Sequence, residues 1–484
     1  MAGIGFRLKK MLSEDTYSAL IKGYLFSSVV SSGPWLISVI CLSVLGLLTS
    51  NSIANSEQNI FGSSIVYIFV FSLIITGISQ PVVTRALADE LYNRRRTAIG
   101  RMFVSLILLT FIVLGVTGIV FISPSDLPLL FKISFVVMLI LVGTVWQLMI
   151  FLSASSDYKT IVGGFLIGSI MGVLAAYWGG QLAGLIGYFS GFTLGQALIC
   201  FVLMYKVFED YEIDLQLDFS FLKYFKMFPG LAVIGLGNYL GTWIDKFVFW
   251  WSGVGHAESY VFFAYPLYDA AMFLAFLTAV PAMAHFLIVI ETNFYIGYRD
   301  FYQCITHKRP LVSIVRKKMK MIADLKKSFG DLFKLQSILL TFLLVFAPQY
   351  LPLFNFPLTH VWLFRLAVAG VACYTLVMMI SIILLYFDLR KPVVFIYLFL
   401  IGTNFLFTII TLFLGSDFHG WGYFLSALIS AIVASCLLIY YLKDLEYHSF
   451  INQPVTGITG EKEKLPNEAC GVEHIRFGKV NRIG

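Results

Sequence analysis

An aspartate and a lysine at 245–246 and a second aspartate at 269 stand inside two otherwise apolar stretches of this sequence, 228–251 and 261–290. A charged side chain at membrane depth costs at least ~2.5 kcal/mol unless it is paired or watered, so such residues point to binding or an ion pathway. At 1.5 Å per residue, Asp245 and Lys246 lie roughly 8–10 Å from one end of the first stretch, and Asp269 roughly 13 Å from the adjoining end of the second. Matching depths on consecutive helices bring the three together. They form either an ion pair, Lys246–Asp269 or Lys246–Asp245, that locks the helices, or the charged lining of a water-filled cavity. Two acids against one base leave a carboxylate over, which favours the cavity. Arg365 is a further candidate for that lining, whereas Lys132 reads as a side chain reaching for the interface.

Covalent chemistry has no comparable signal. There is no Walker sequence, no GxGxxG after a strand, no HExxH and no GxSxG. The six cysteines, at 41, 200, 304, 373, 436 and 470, contain no CxxC and read as apolar fillers. We therefore expect no catalytic residues, no metal and no cofactor; the chain does not read as an enzyme.

The elements that must hold the charged residues are transmembrane helices. A chain that is 59% hydrophobic and 13% charged, with mean hydropathy +0.85, cannot cover a soluble globule. Twelve apolar stretches run roughly 24–48, 60–83, 102–122, 130–152, 161–177, 182–205, 228–251, 261–290, 336–356, 361–386, 393–414 and 421–442. Each is at or above the ~17–25 residues that cross a bilayer as helix. Of the 34 Lys and Arg, all but Lys132, Lys246 and Arg365 fall before the first stretch or after the even-numbered ones. Cationic loops stay in the cytoplasm, so the chain is expected in a bacterial inner membrane with both termini cytoplasmic. The net charge of +7 is absorbed by this pattern and by anionic lipid, and implies no nucleic acid.

The longer acidic connection 206–227 divides the chain into an N-lobe, 24–205, and a C-lobe, 228–442. Outside them lie an amphipathic N-terminal segment, 1–23, and a polar cytoplasmic tail, 443–484. Within the C-lobe the basic cytoplasmic loop 291–335 reads as amphipathic over 311–335, with Arg316, Lys317, Lys318, Lys320, Lys326 and Lys327 opposite its apolar face. It suits a helix lying among lipid headgroups or a docking surface for a partner. Every external connection is short, which leaves no room for an outer catalytic domain and suits a secondary transporter.

Backbone breakers mark candidate hinges: Gly33 and Pro34 in the first helix, Pro81 in the second, Pro266 and Pro281 in the eighth. Helix six carries Gly184, Gly187, Gly191 and Gly195, which allow close contact, expected within the monomer. Arg85 and Asp89, Glu291 and Asp388 stand at cytoplasmic helix ends as candidate gate latches.

These residues carry a resemblance. The runs Ala2-Gly3-Ile4-Gly5-Phe6, Ser31-Ser32-Gly33-Pro34-Trp35, Thr84-Arg85 with Asp89, and Trp243-Ile244-Asp245-Lys246 are similar to those of the inner-membrane Pel exopolysaccharide transporters, the PelG family. The eighth helix is the most specific match, with Tyr268-Asp269, Phe273-Leu274-Ala275, Pro281 and Glu291-Thr292; Tyr386-Phe387-Asp388 adds another. The family is a branch of the superfamily of oligosaccharide flippases and MATE exporters, and the likeness spans roughly 1–450. It implies an all-α, twelve-helix, two-lobed transporter in a synthase-dependent biofilm secretion complex. Its partners would be a cytoplasmic glycosyltransferase and membrane regulatory subunits, one a cyclic-di-GMP receptor. The cargo would be a polymer rich in N-acetylgalactosamine and partly cationic, which Asp245 and Asp269 would suit. Trp35, Trp243, Tyr265 and Tyr268 are candidates to stack on sugar rings. A cation-coupled small-molecule exporter and a scaffold recruiting the glycosyltransferase are the alternatives.

Overall fold

The computed structural model describes residues 17–49, 54–155, 157–212, 214–259, 261–354 and 356–447, without the side chains of 17–21, 291 and 293. The faces of the amphipathic segment at 4–21, the Glu291 side chain and the tail after 447 lie outside the described residues.

Apolar sequence without water must satisfy its own backbone, and every apolar stretch lies largely on helix. The helices are α1 (Tyr17–Thr49), α2 (Asn55–Tyr92), α3 (Arg96–Ile122), α4 (Leu129–Ala154), α5 (Tyr158–Asp210), the short α6 (Leu222–Met227), α7 (Pro229–Trp251), α8 (Pro266–Leu277), α9 (Val280–Val289), α10 (Tyr295–Thr306), α11 (Leu311–Tyr350), α12 (Val361–Tyr386), α13 (Arg390–Leu414) and α14 (Trp421–Lys443). Among the described residues, ten helices are long and apolar enough to cross a membrane, and α7 is not one of the ten. Among the described residues the strands form one small antiparallel hairpin, β1 (His256–Ala257) with β2 (Phe263–Ala264).

α5 counts once but folds back on itself. Ala183 and Gly184 leave the helical region, and Gly184 takes φ 56°, a left-handed conformation open to glycine. Its two arms then run antiparallel, with Gly172 against Gly195 and Gly179 against Gly187.

Two apolar stretches differ from their expected form. Helix does not begin at 261: hairpin strands take 256–257 and 263–264, and Pro266 opens α8 at its first turn, where proline's missing N–H costs nothing. Pro281 then interrupts the helix at Thr278–Ala279, and a π-helical turn, Ile290–Phe294, links α9 to α10. The amphipathic stretch 311–335 is not a separate surface helix. It continues without a break into the apolar stretch after 336, making α11 one helix of 40 residues.

The residues of α2 to α5 form two buried clusters, and α7 to α14 a third. The clusters exchange members across the boundary between these groups. Val82 of α2 belongs to the later cluster, and Trp250 of α7 and Phe262 of the hairpin to an earlier one. α1 packs on both α5 and α9.

Candidate functional site

α7 is amphipathic in an unusual sense: its polar residues face inward. Asn238, Thr242, Asp245 and Lys246 recur at helical spacing, and one face of a helix repeats every three to four residues. Asn238 accepts hydrogen bonds at Oδ1 from Tyr374 (2.9 Å) and Tyr397 (3.1 Å). Above it, Asn404 of α13 donates through Nδ2 to the Gly241 carbonyl at 3.0 Å. Buried polar atoms need such partners, and these tie α7 to α12 and α13.

Asp245 is 0% and Lys246 4% exposed. The Lys246 ammonium donates to the Thr242 carbonyl at 2.8 Å and lies 3.2 Å from Asp245 Oδ2. Tyr268 of α8 donates its hydroxyl to the same carboxylate oxygen at 2.5 Å. Four rings surround the ammonium: Trp243 at 5.1 Å, Tyr423 at 5.7 Å, Phe276 at 5.8 Å and Tyr268 at 5.9 Å to their centroids. A cation over a desolvated ring gains ~0.5–2 kcal/mol, so the cage offsets part of the cost of burying the charge.

Asp269 stands apart from this pair. Its place in the first turn of α8 lets Oδ2 accept from the Tyr265 backbone N–H at 3.0 Å, and Trp250 Nε1 donates to the same oxygen at 2.9 Å. Its Oδ1 is buried without a partner. Lys246 thus pairs with Asp245 and not with Asp269, and the leftover carboxylate is Asp269, half-buried at the end of α7.

The candidate aromatic residues differ in access. Tyr268 is fully buried, its ring 4.6 Å from Phe249 and stacked 6.0 Å from Tyr265. Tyr265, Trp243 and Trp35 are half-buried, and Tyr265 shares a hydrogen bond of 3.1 Å with His419 Nδ1. Arg365 is not part of the cluster; it is exposed and donates from Nε to the Leu344 carbonyl at 2.9 Å.

The face that carries the Lys- and Arg-rich connections, called here the basic face, holds the candidate latches. Arg85 pairs with Asp89 at 3.5 Å, and Arg390 with Asp388 at 2.6 Å. Phe228, the residue before α7, sits under both guanidiniums, 4.2 Å from Arg390 and 5.7 Å from Arg85. The ring therefore joins a helix of the first group to one of the second. Asp388 takes φ 55° in the tight turn between α12 and α13.

Of the basic residues on α11, Arg316, Lys320, Lys326 and Lys327 are exposed, and Lys317 pairs with Asp300 at 2.8 Å. Lys318 turns inward. It donates to the Lys443 carbonyl at 2.9 Å and pairs with Glu446, a cation at the C-terminal end of α14 where the helix dipole favours it.

Sequence reasoning missed Phe228, Tyr423, Phe276 and the Thr242 carbonyl. It also missed three contacts of α1 and α2 with the later helices. Tyr24 OH and His285 Nδ1 are 2.6 Å apart, and Ser27 donates to the Ala284 carbonyl at 2.8 Å, both toward the basic face. At the opposite face, whose connections carry Glu57, Asp126, Glu258 and Asp417 and which is called here the cation-poor face, Tyr67 OH donates to the Phe263 carbonyl at 3.0 Å and accepts from Phe263 N–H at 3.2 Å, while its ring stacks on Trp250 at 4.8 Å. Between the two, Gly77 of α2 meets Gly235 of α7. A Cβ on Gly235 would stand 2.0 Å from the Gly77 carbonyl oxygen, the same carbonyl that Pro81 leaves without its helical donor.

A model of the PelG family, described as "Putative exopolysaccharide Exporter (EPS-E)", matches residues 1–450. The fold is similar to that of a MOP superfamily transporter from Pyrococcus furiosus, with TM-score 0.59 and 15% identity over 87% of this chain and 96% of that one. It is also similar to a MATE transporter in its straight conformation, with TM-score 0.60 and 14% identity over 88% and 96%. An outward-facing MATE multidrug resistance transporter gives TM-score 0.58 and 14% identity over 88% and 97%. No curated protein matches the sequence.

Proposed function

The chain belongs to the PelG family of exopolysaccharide exporters and is a multi-pass membrane transporter; on that premise we propose that it passes a growing polysaccharide, or a glycan intermediate, along the boundary between α1–α5 and α7–α14. The observation that carries the reading is the order of contacts along that boundary. The Tyr67–Phe263–Trp250 group lies at the cation-poor face and the Tyr24–His285, Ser27–Ala284 and Phe228 group at the basic face. The glycine crossing Gly77–Gly235 lies between them. Rocking about that crossing would open one group while the other stays closed, which is alternating access about two lobes. The lobes on this reading are 24–205 and 228–442, joined by 206–227, with Pro34, Pro81, Pro266 and Pro281 absorbing the bend.

On the same reading the basic face is cytoplasmic, in the inner membrane of a bacterium, with both termini inside. Asp269, with its free oxygen, and half-buried Tyr265, Trp243 and Trp35 would line the opening, and suit a sugar polymer carrying some cationic residues. Arg85, Asp89 and Asp388 serve as latches around Phe228. The exposed Arg316, Lys320, Lys326 and Lys327 of α11 offer a docking strip for anionic lipid or for a cytoplasmic glycosyltransferase, beside regulatory subunits that include a cyclic-di-GMP receptor. The cargo as a Pel-type, N-acetylgalactosamine-rich polymer rests on the family alone, as does the absence of enzymatic activity.

Cysteine pairs at 24 and 285 and at 67 and 263, each spanned by a reducible bis-methanethiosulfonate reagent because the native contacts are made by side-chain tips, test this directly in cells that make the polymer. Cross-linking of either pair should stop secretion and reduction should restore it, because each locks one face shut. Secretion that continues with either pair cross-linked would refute the rocking pathway. The MATE-like fold also favours a second reading, a small-molecule exporter, which would confer drug resistance on expression alone, without polymer genes.

A further inference from the structure

The surroundings of Lys246 are those of a bound cation. An ammonium stands within 2.8 Å of a main-chain carbonyl, within 3.2 Å of a carboxylate, and beneath four aromatic rings contributed by α7, α8 and α14. Carbonyl, carboxylate and ring faces are what a protein uses to hold a free ammonium or alkali cation, and aromatic cages in particular recognise alkylammonium ions. Here the occupant is covalently attached to the same helix. Asp245 is itself complete: one oxygen takes the Tyr268 hydroxyl and the Lys246 ammonium, and the residue has no exposed surface.

We propose that the Asp245–Thr242 cage is a monovalent-cation site whose cation is the chain's own Lys246 ammonium. A tethered cation cannot be exchanged between the two sides of a membrane. The site therefore stabilises the α7–α8–α14 junction without exchanging a sodium, potassium or other free cation as the junction moves. A ligand that binds only the folded protein stabilises it by mass action, whereas an occupant already in place leaves no such response. The inference concerns occupancy alone and holds whatever the cargo is.

The test uses the full-length protein in lipid nanodiscs and needs no transport. Lys246→Ala removes three carbons and the nitrogen beyond Cβ, the atoms of n-propylammonium. Addition of n-propylammonium chloride should raise the melting temperature of Lys246→Ala saturably by several degrees. The wild type and the Asp245→Asn, Lys246→Ala double variant should not respond, and n-propanol, which has similar size without charge, should give little. No response to n-propylammonium, or an equal response to n-propanol, would overturn the proposal by showing a hole and not a cation site. The wild type provides an arm that does not depend on the variant folding. Its melting temperatures in sodium, potassium and N-methylglucamine chloride at equal ionic strength should coincide. A saturable sodium or potassium shift that Asp245→Asn abolishes would mean the site takes a free ion beside Lys246, and would equally overturn it. Since neither arm reads secretion, failure here leaves the export pathway standing, and the cysteine locks can fail without touching this result.

Discussion

Where α5 folds back on itself, its arms meet backbone to backbone, Gly172 on Gly195 and Gly179 on Gly187; where α7 meets α8 and α14, the contact is an ion pair, a phenol and four rings. Both regions are buried helix junctions in an apolar chain, but they are stabilised differently. The glycine seam works by distance: without Cβ atoms the helices approach closely and dispersion contacts accumulate, as membrane helices cannot rely on expelling water. The charged junction works by saturation of partners, and removal of any one leaves a charge stranded. The first tolerates no added atom, the second no subtracted group.

The largest effect should come from breaking the seam. A side chain at Gly191 would put its Cβ 2.4 Å from the backbone of Ala175 and Ala176, which cannot move aside without separating the arms. Gly191→Leu should yield no monodisperse folded protein in size-exclusion chromatography. Normal yield would show that the arms can slide, and would undo the contrast.

Next comes the charged junction. Asp245→Ala leaves Lys246 buried without its carboxylate, at a cost of about 3–5 kcal/mol. Replacing both partners, as Asp245→Leu with Lys246→Met, should recover a good part of that loss in thermal melting, because neither charge is then stranded. If the double variant is as unstable as the sum of the single ones, the pair is not a unit. A smaller change is expected for Tyr67→Phe. It removes both hydrogen bonds to Phe263, worth about 1 kcal/mol each, and should raise solvent access at the cation-poor face in cysteine labelling while leaving α5 untouched.

The smallest effect lies outside both junctions. Asp214 in the connection after α5 accepts from Gln216 N–H and pairs with Arg101, which hold its carboxyl below the usual value. A depressed carboxyl adds stability above its unfolded pKa of ~3.9 and loses it as pH falls through the folded value. The site is open to solvent, so Asp214→Asn should leave melting unchanged at neutral pH within scatter and slightly flatten its decline below pH 4. A large drop at neutral pH would mean that the connection is structural.

The sequence carried the helical, membrane-spanning character and the presence of buried charge plainly, but left open which acid Lys246 meets. Apolar length, alternating cationic loops and the isolated Asp245-Lys246 are each local signals. What it did not carry was anything set by a distant partner. Tyr423 reaches Lys246 from α14, far along the chain, and no spacing rule links the two. Asp269 sits in the first turn of α8 and not well inside a helix begun at 261, because Pro266 reads equally as a kink inside a helix or as the first residue of one, and only the hairpin before it decides. Lys318 shares the polar spacing of its neighbours, yet the end of α14 draws it inward. Phe228 shows no functional signal at all until Arg85 and Arg390 are seen on either side of it.

The path itself can be read by a photoreactive residue in cells making polymer. Phe273 lies one turn beyond Asp269 on the same face of α8 and is 41% exposed, while Leu398 of α13, 53% exposed, serves as a comparison that takes no part in the contacts named along the boundary. With p-benzoylphenylalanine at each position in turn, irradiation during secretion should attach glycan to the protein at 273 and not at 398. Glycan at neither position, or equally at both, would contradict a route between the two groups of helices.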